Sequence, residues 1–554
     1  MERPPVLARS SCAIATVVVL ALATTAVAVA SRDSTANVDV PTAGTAAAPS
    51  PSTTNVTAIC EPTPYPRACE TALLSSPPSG RRERDDPFAA SVQFAMSRAA
   101  SARALARNLS AASSPPGAED CAELLDISLD QLRDALAAGG SDADGATTWL
   151  SAALTNQATC ADGLAAGPGS AGRDAVRARV GALTQFIATA LALHVGKRNY
   201  KAAAVDIGGM PSATGAPPAF PSWVTRGDRK LLEAPAGASG VVADAVVALD
   251  GSGTHSSINE AIAAVVTAAN GGGGRKVIHV KAGRYEESVT ISSKQKNVML
   301  MGDGKGKTVI VGHKSVADGY TTYASATVAA MGSGFIAKGL TIENSAGPGK
   351  GQAVALRVGG DLSVVYQCAI QAHQDTLYAH SNRQFYAAAD VAGTVDFIFG
   401  NAAVVLQNCD IRPRRPSRGQ KDTVTAQGRT DPNQNTGISI HRCRVAGAAD
   451  LGGTPVYLGR PWQKYSRTVV MESFLDRSIS PAGWLEWSGG FALSTLYYGE
   501  YGNTGPGAGT GKRVTWAGLH TSMSRSDATR FTVADFIMGD SWLGGTGVSY
   551  TSGL

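Results

Sequence analysis

Residues 351–400 read GQAVALRVGGDLSVVYQCAIQAHQDTLYAHSNRQFYAAADVAGTVDFIFG. Gln374-Asp375 follows 22 residues after Gln352, and Asp396 lies 21 residues after Asp375. On an α-helix that spacing would scatter these side chains along tens of ångströms. On a solenoid whose coil has that length they stack on successive rungs, about 4.8 Å apart. Two amides and two carboxylates then converge on one patch.

The flanking sequence has the same texture. Short β-branched runs occur at Lys276–Val280, Asn297–Met301, Phe335–Glu343, Leu362–Ile370, Ala403–Ile411, Gly437–Val445 and Thr468–Phe474, punctuated by Asn, Gly and Asp. Apart from one helical segment at Ser257–Ala269, no helix-length stretch separates them. Stacked β-coils explain this better than βαβ units do.

Upstream of about residue 240 the period changes. Phe88–Leu109, Cys121–Ala138, Thr147–Leu164 and Ala175–Val195 suit a 3.6-residue repeat, with breaks of Gly, Pro and Ser, and predict a four-helix bundle. Residues 31–57 and 204–240 have linker composition, and the second contains the dibasic Arg229-Lys230, an exposed protease target or a solvated charge pair. Arg3 and Arg9 precede an uncharged run from Ser10 to Ala30, which reads as a signal peptide or a signal anchor.

The chain has 554 residues, of which 17% are charged, and a net charge of +5. The basic excess lies wholly after Leu232, where 29 basic residues face 24 acidic ones. A basic surface attracts polyanions, although charge by itself reads first as solubility alone. No nucleic-acid module is present, so a carbohydrate polyanion is the better partner. Asn55 and Asn108 are glycosylation sequons. With Cys12 in the leader, the expected pairs in an oxidising compartment are Cys60–Cys69, Cys121–Cys160 and Cys409–Cys443, leaving Cys368 over. Spacing alone does not fix that connectivity.

Other chemistries find no motif. There is no Gly-x-Ser-x-Gly elbow, Gly306-Lys307-Thr308 lacks the first glycine of a phosphate loop, and the eight histidines and the cysteines show no metal spacing. His373 and His380 read as structural or surface residues. No cofactor and no metal are expected. The stacked patch has its own logic. One carboxylate attacks a carbonyl, two amides hold the oxyanion, and the second carboxyl protonates the leaving alcohol. The two carboxyls need opposite protonation states, so a cation belongs beside the nucleophile, and Arg460 in Leu458-Gly459-Arg460-Pro461-Trp462 is the candidate. Trp462 offers a face for stacking on a sugar. Plain turn residues of a solenoid would show the same spacing.

At these residues the chain resembles plant-type pectin methylesterases. The matching segments are Gly283–Glu287, the Gln352 segment, Gln374–Leu377, Asp396–Asn401, Val424–Arg429 and Leu458–Trp462. The resemblance implies an all-β right-handed parallel β-helix over residues 241–554, acting on the methyl esters of homogalacturonan without a metal. It implies Asp396 as nucleophile, Asp375 as general acid/base, Gln374 and Gln352 as oxyanion donors with Gln352 also touching substrate, and Arg460 as the orienting cation. Thr322, Tyr378, Phe399, Trp462 and Trp484 match positions lining the family's cleft, with core packing left open for Phe399.

Residues 58–203 resemble the pectin methylesterase inhibitor family, an all-α four-helix bundle, through Cys60, Thr63, Tyr65, Pro66, Cys69, Cys121 and Cys160. This implies a pro-region that meets its own partner domain, or separate inhibitor proteins taking that role. It also implies a processing protease acting near residues 229–232 and secretion to the cell wall, the precursor anchored if residues 1–30 are retained. One departure stands out. The resemblance implies a cysteine where this chain has Ala389, so Cys368 is expected to be a free buried thiol. Two other readings compete: a lyase or polygalacturonase on the same type of fold, and an inhibitor with a decayed catalytic half.

Overall fold

The computed structural model describes residues 51–75, 86–113, 116–138, 142–166, 169–205, 242–266 and 274–554. The leader at 1–30 and the dibasic pair at 229–230 lie outside them.

The first half is helical: α1 (Pro51–Cys60), α2 (Pro66–Ser75), α3 (Pro87–Ser113), α4 (Ala118–Ala138), α5 (Ala143–Ala165) and α6 (Ala171–Val205). Val92, Ala95, Ala99, Ala102 and Ala106 of α3 recur at alternating steps of three and four and are fully buried. That seam of small side chains faces the bundle core, with Leu124, Leu125 and Leu132 of α4 and Leu183, Ile187 and Leu191 of α6 in the same cluster. Residues 171–198 of α6 are long and apolar enough to cross a membrane, but their apolar stripe is spent on this core. Disulfides join Cys60 to Cys69 and Cys121 to Cys160. The helical region starts at Pro51, inside the segment expected to be linker. Asn55 and Asn108 are exposed.

From Ala245 the chain winds into a right-handed parallel β-helix. Among the described residues three parallel sheets of 11, 7 and 8 strands form its faces, with the seven central coils each adding one strand to each sheet. Helix α7 (Ile258–Val265) packs Ile258, Ala261 and Ile262 into the core at the first coil. Its N-terminus is held by the Glu287 carboxylate, which accepts from the Ile258 amide at 2.7 Å.

Five of the β-branched runs are each two strands rather than one. Leu362–Ile370 contains Ser363–Tyr366 and Ala369–Gln371, and Ala403–Ile411 contains Ala403–Gln407 and Asp410–Pro413. One left-handed residue turns each corner: Gly339 in Phe335–Glu343, and Gln367, Asn408, Arg442 and Glu472 in the other four, with Ala388 at the same corner after Arg383–Ala387. Gln367, Ala388, Asn408, Arg442 and Glu472 carry φ of 53°, 50°, 53°, 53° and 48° and stack in register from coil to coil. A single αL residue bends a strand sharply while keeping both halves on the ladder. Only one of the five is Asn, so side-chain propensity gave little warning.

The Cys409–Cys443 bond expected from the sequence is not present. The two residues stack on adjacent coils with the Cys409 amide 3.4 Å from Cys443 Sγ, and each thiol turns toward backbone carbonyls: Cys409 Sγ to Gln407 O at 3.4 Å and Cys443 Sγ to Leu406 O at 3.3 Å. Cys368 is a free buried thiol, pushed up to about 11 by burial. The register pairs Ala369 with Asp390 and Asp390 with Asp410, so Ala389 sits between Cys368 and Cys409 in that interior column.

Candidate active site

Four residues from three coils meet on the outer face of the seven-stranded sheet. Leu377 pairs with Ile398, so Asp375 and Asp396, each two residues upstream, occupy equivalent positions on neighbouring rungs. Both have positive φ, 64° and 52°, which turns their carboxyls outward while Leu377 and Ile398 still point into the core. The Ala353 amide donates to the Gln374 carbonyl at 3.2 Å, bringing Gln352 beside Gln374 one coil below. Gln352, Gln374, Asp375, Asp396, Thr322, Tyr378, Phe399, Arg460 and Trp462 line one cavity of about 400 Å³.

The two carboxyls differ in environment. Arg460 clasps Asp396 through both nitrogens, Nε to Oδ1 at 2.8 Å and Nη2 to Oδ2 at 2.7 Å. The Thr423 hydroxyl donates to Asp396 Oδ1 at 2.6 Å and accepts from the Asp396 amide at 2.8 Å. Both oxygens of Asp396 are thus occupied by charge-assisted or hydroxyl donors that fix the plane of the carboxyl group. Asp375 is held well above the usual carboxylate range, by burial first and then by the charge of Asp396, with Arg460 opposing. One carboxyl is thus clasped by a cation, and its neighbour is buried and shifted toward its protonated form.

Aromatic rings build the walls. Phe399 stacks on Tyr378 at 4.1 Å and meets Trp462 edge-on at 5.9 Å. Trp462 lies close over Gly428, where a Cβ would come 2.8 Å from the indole. Phe399 is buried, yet on the cavity side of its strand rather than in the solenoid core. Trp484 is a correction. It is 1% exposed, stacked on Tyr498 at 4.3 Å, and gives its indole N–H to Glu500, so it is a core residue. The cavity tryptophan there is Trp487, whose ring lies under the Arg460 guanidinium at 4.4 Å. Sequence reasoning missed it because Trp484 and Trp487 are three residues apart in one loop and only the fold tells them apart. Thr423 was missed too, although it sits one rung above Asp396 and directly before Val424.

The roof of the cavity comes from the bundle. Thr159, Asp162, Gly163 and Ala166, at the end of α5, complete the lining. A stripe of α5 runs down the β-helix at steps of three and four. Thr148 Oγ1 accepts from Asn435, the Ser151 carbonyl from Gln434, and Thr155 Oγ1 from Asn401, each at 2.9 Å. Thr159 Oγ1 lies 3.0 Å from His380 Nε2. Burial lowers His380 to about 3, so the imidazole there is neutral. From α4, Asp120 takes a hydrogen bond from Thr321, and Glu123 lies in the field of Arg357. Among the described residues no cluster of three or more His, Cys, Asp or Glu side chains could hold a metal ion.

Fold and cleft together define a parallel β-helix protein with a two-carboxyl cavity, roofed by a helical bundle. The sequence-family model for Pectinesterase matches residues 244–540, and that for Plant invertase/pectin methylesterase inhibitor matches residues 54–193. The chain is 50% identical over 477 residues to a probable pectinesterase/pectinesterase inhibitor 35 of Arabidopsis thaliana, covering 84% of this chain and 88% of the relative. It is 46% identical over 513 residues to pectinesterase 2 of Citrus sinensis, covering 90% and 95%. The pectin methylesterase structure from carrot superposes with a TM-score of 0.56 at 55% identity, covering 57% of this chain and all of that one. The chain belongs to the pectinesterase family: it is a pectinesterase with an inhibitor-like N-terminal domain.

Proposed function

We propose that residues 241–554 hydrolyse the methyl esters of homogalacturonan, with Asp396 as nucleophile and Asp375 as general acid/base. Asp396 attacks the ester carbonyl, and the Gln352 and Gln374 amides stabilise the oxyanion. Asp375 gives its proton to the departing oxygen, which leaves as methanol. A water then attacks the resulting acyl-enzyme, losing a proton to Asp375. Free galacturonate departs, and both carboxyls are restored. Trp462 and Thr322 line the channel for the sugars. The observation that carries this reading is the pair of opposite environments: Asp396 clasped by Arg460, Asp375 buried beside it.

Residues 58–203 act in this reading as a cap that keeps substrate out until the linker is cut near residues 229–232. Support comes from α5 lining the same cavity as both carboxyls. The assembly fits a secreted, glycosylated precursor processed for the cell wall. The test is methanol release from highly methylated pectin by residues 233–554, alone and with the bundle added. The carrot enzyme's whole chain matches only this half, so the half is expected to fold alone. Release suppressed by the bundle supports both parts. Full activity in an Asp396→Asn variant would remove the nucleophile assignment.

A further inference from the structure

The sequence Arg414-Arg415-Pro416-Ser417-Arg418-Gly419-Gln420-Lys421 joins strand Asp410–Pro413 to strand Asp422–Gln427. Residues 345–355, 372–376 and 394–397 make the same connection between the same two sheets on the three preceding coils, and they carry Gln352, Asp375 and Asp396. The basic loop is therefore the next turn in the row that builds the active cleft, and it runs directly into Thr423, which holds Asp396.

From Arg412 to Lys421 there are five cations and no acid. Two are engaged: Arg412 pairs with Asp410, and Arg414 reaches Asp450 at 4.0 Å and donates to the Ala372 carbonyl at 3.2 Å. Arg415, Arg418 and Lys421 are exposed, and no ion pair engages them among the described residues. The loop is braced. Ser417 Oγ donates to the Pro348 carbonyl at 3.0 Å, tying it to the turn that carries Gln352, and the Ser417 amide donates to Gln420 at 3.1 Å. A loop kept only for solubility needs neither this bracing nor a run of one sign.

Each turnover converts a neutral ester into a carboxylate, so the polymer leaving the cleft is a growing polyanion. We propose that loop 414–421 is a second contact for the same polymer: Arg415, Arg418 and Lys421 take the carboxylates of galacturonates already freed, and hold the chain so that the next ester hydrolysed is a neighbour. This rests on the ester-hydrolysis reading for the identity of the polymer.

The test has two arms. In the first, the full chain binds fully de-esterified polygalacturonate at low and at physiological salt. The loop is exposed in the full chain while α5 roofs the cavity, so this arm reads the loop. The combined Arg415→Gln, Arg418→Gln, Lys421→Gln variant is expected to bind about tenfold more weakly and to melt at the same temperature. Arg418→Gln alone serves if the triple variant does not fold. In the second arm, residues 233–554 act on fully methylated pectin and the ester pattern is read by NMR. The parent should leave long runs of free carboxylates and the variant scattered ones, at equal initial methanol release. Equal binding by parent and variant, binding indifferent to salt, or identical ester patterns would overturn the proposal. If the parent binds the polyanion but releases no methanol, the fault lies with the hydrolysis reading instead.

Discussion

Arg460 binds both oxygens of Asp396 and sits on the face of Trp487, so one guanidinium links the carboxylate to the cavity wall. The planar fork matters more than the charge alone, because a lysine makes a point contact and stacks poorly. An Arg460→Lys variant should lose about 10²-fold in kcat/KM, mostly in kcat, because the carboxylate is no longer held at both oxygens. Initial rates of residues 233–554 over a range of pectin concentrations check this. A rise in KM at constant kcat would mean that Arg460 acts on substrate and not on Asp396.

In the proposed reaction Asp375 starts protonated. Its hold well above the usual range is set by burial and by Asp396, so activity should fall on the alkaline side as Asp375 ionises. An Asp396→Asn variant removes the neighbouring charge, and the Asp375 titration followed by NMR should move down. If it stays put, burial alone sets it.

Thr423 is a positioning residue for Asp396. Thr423→Val keeps shape but removes both the donor to Oδ1 and the acceptor for the Asp396 amide. The expected result is a fall in kcat of about tenfold with KM little changed. A rise in KM at constant kcat would assign Thr423 to substrate binding.

Asp422 is a buried carboxyl with both oxygens unpartnered among the described residues. Burial, then the charges of Asp396 and Asp450, raise it from 3.8 to about 9. The folded chain therefore keeps a proton that the unfolded chain releases above about pH 4. For this group stability is fullest below that pH and declines as pH rises toward 9. Asp422→Asn should raise the melting temperature at pH 8 more than at pH 4. An equal gain at both pH values would rule out the protonation account.

Docking of the bundle should follow the same sign. Burial pushes Asp162, whose outer edge remains exposed, from 3.8 to about 6, and raises Asp120 and Glu123 as well. The docked form holds more protons, so added bundle should bind residues 233–554 most tightly at acid pH and more weakly as pH rises through 6. Thr155→Arg with Thr159→Arg should abolish binding while leaving the bundle's melting unchanged. Binding indifferent to pH would mean these carboxyls are shielded equally in the free bundle.

The repeat spacing of Gln352, Asp375 and Asp396 made the solenoid and its patch legible, because a coil's length is written directly into the sequence. Where one coil turns was not. Leu362–Ile370 reads as a continuous strand, since Gln367 carries no turn preference and its left-handed bend is imposed by the stacked corner. The tryptophans failed for a similar reason: Trp484 and Trp487 share a loop, and only Glu500 and Tyr498 draw the first inward. The thiols at Cys409 and Cys443 sit on adjacent rungs as expected, yet each is turned to a carbonyl, a choice that spacing does not encode.

Asp375 and Asp396 stand at the same register position on neighbouring rungs, each two residues before a strand that pairs with the next. Their separation is consequently a lattice constant of the sheet. The same turn can lengthen on the flanking coils, as the eleven residues of 345–355 and the eight of 414–421 do, without altering it. Evolution is left free to vary the rim of the cleft while the two carboxyls stay ruled to a fixed pitch.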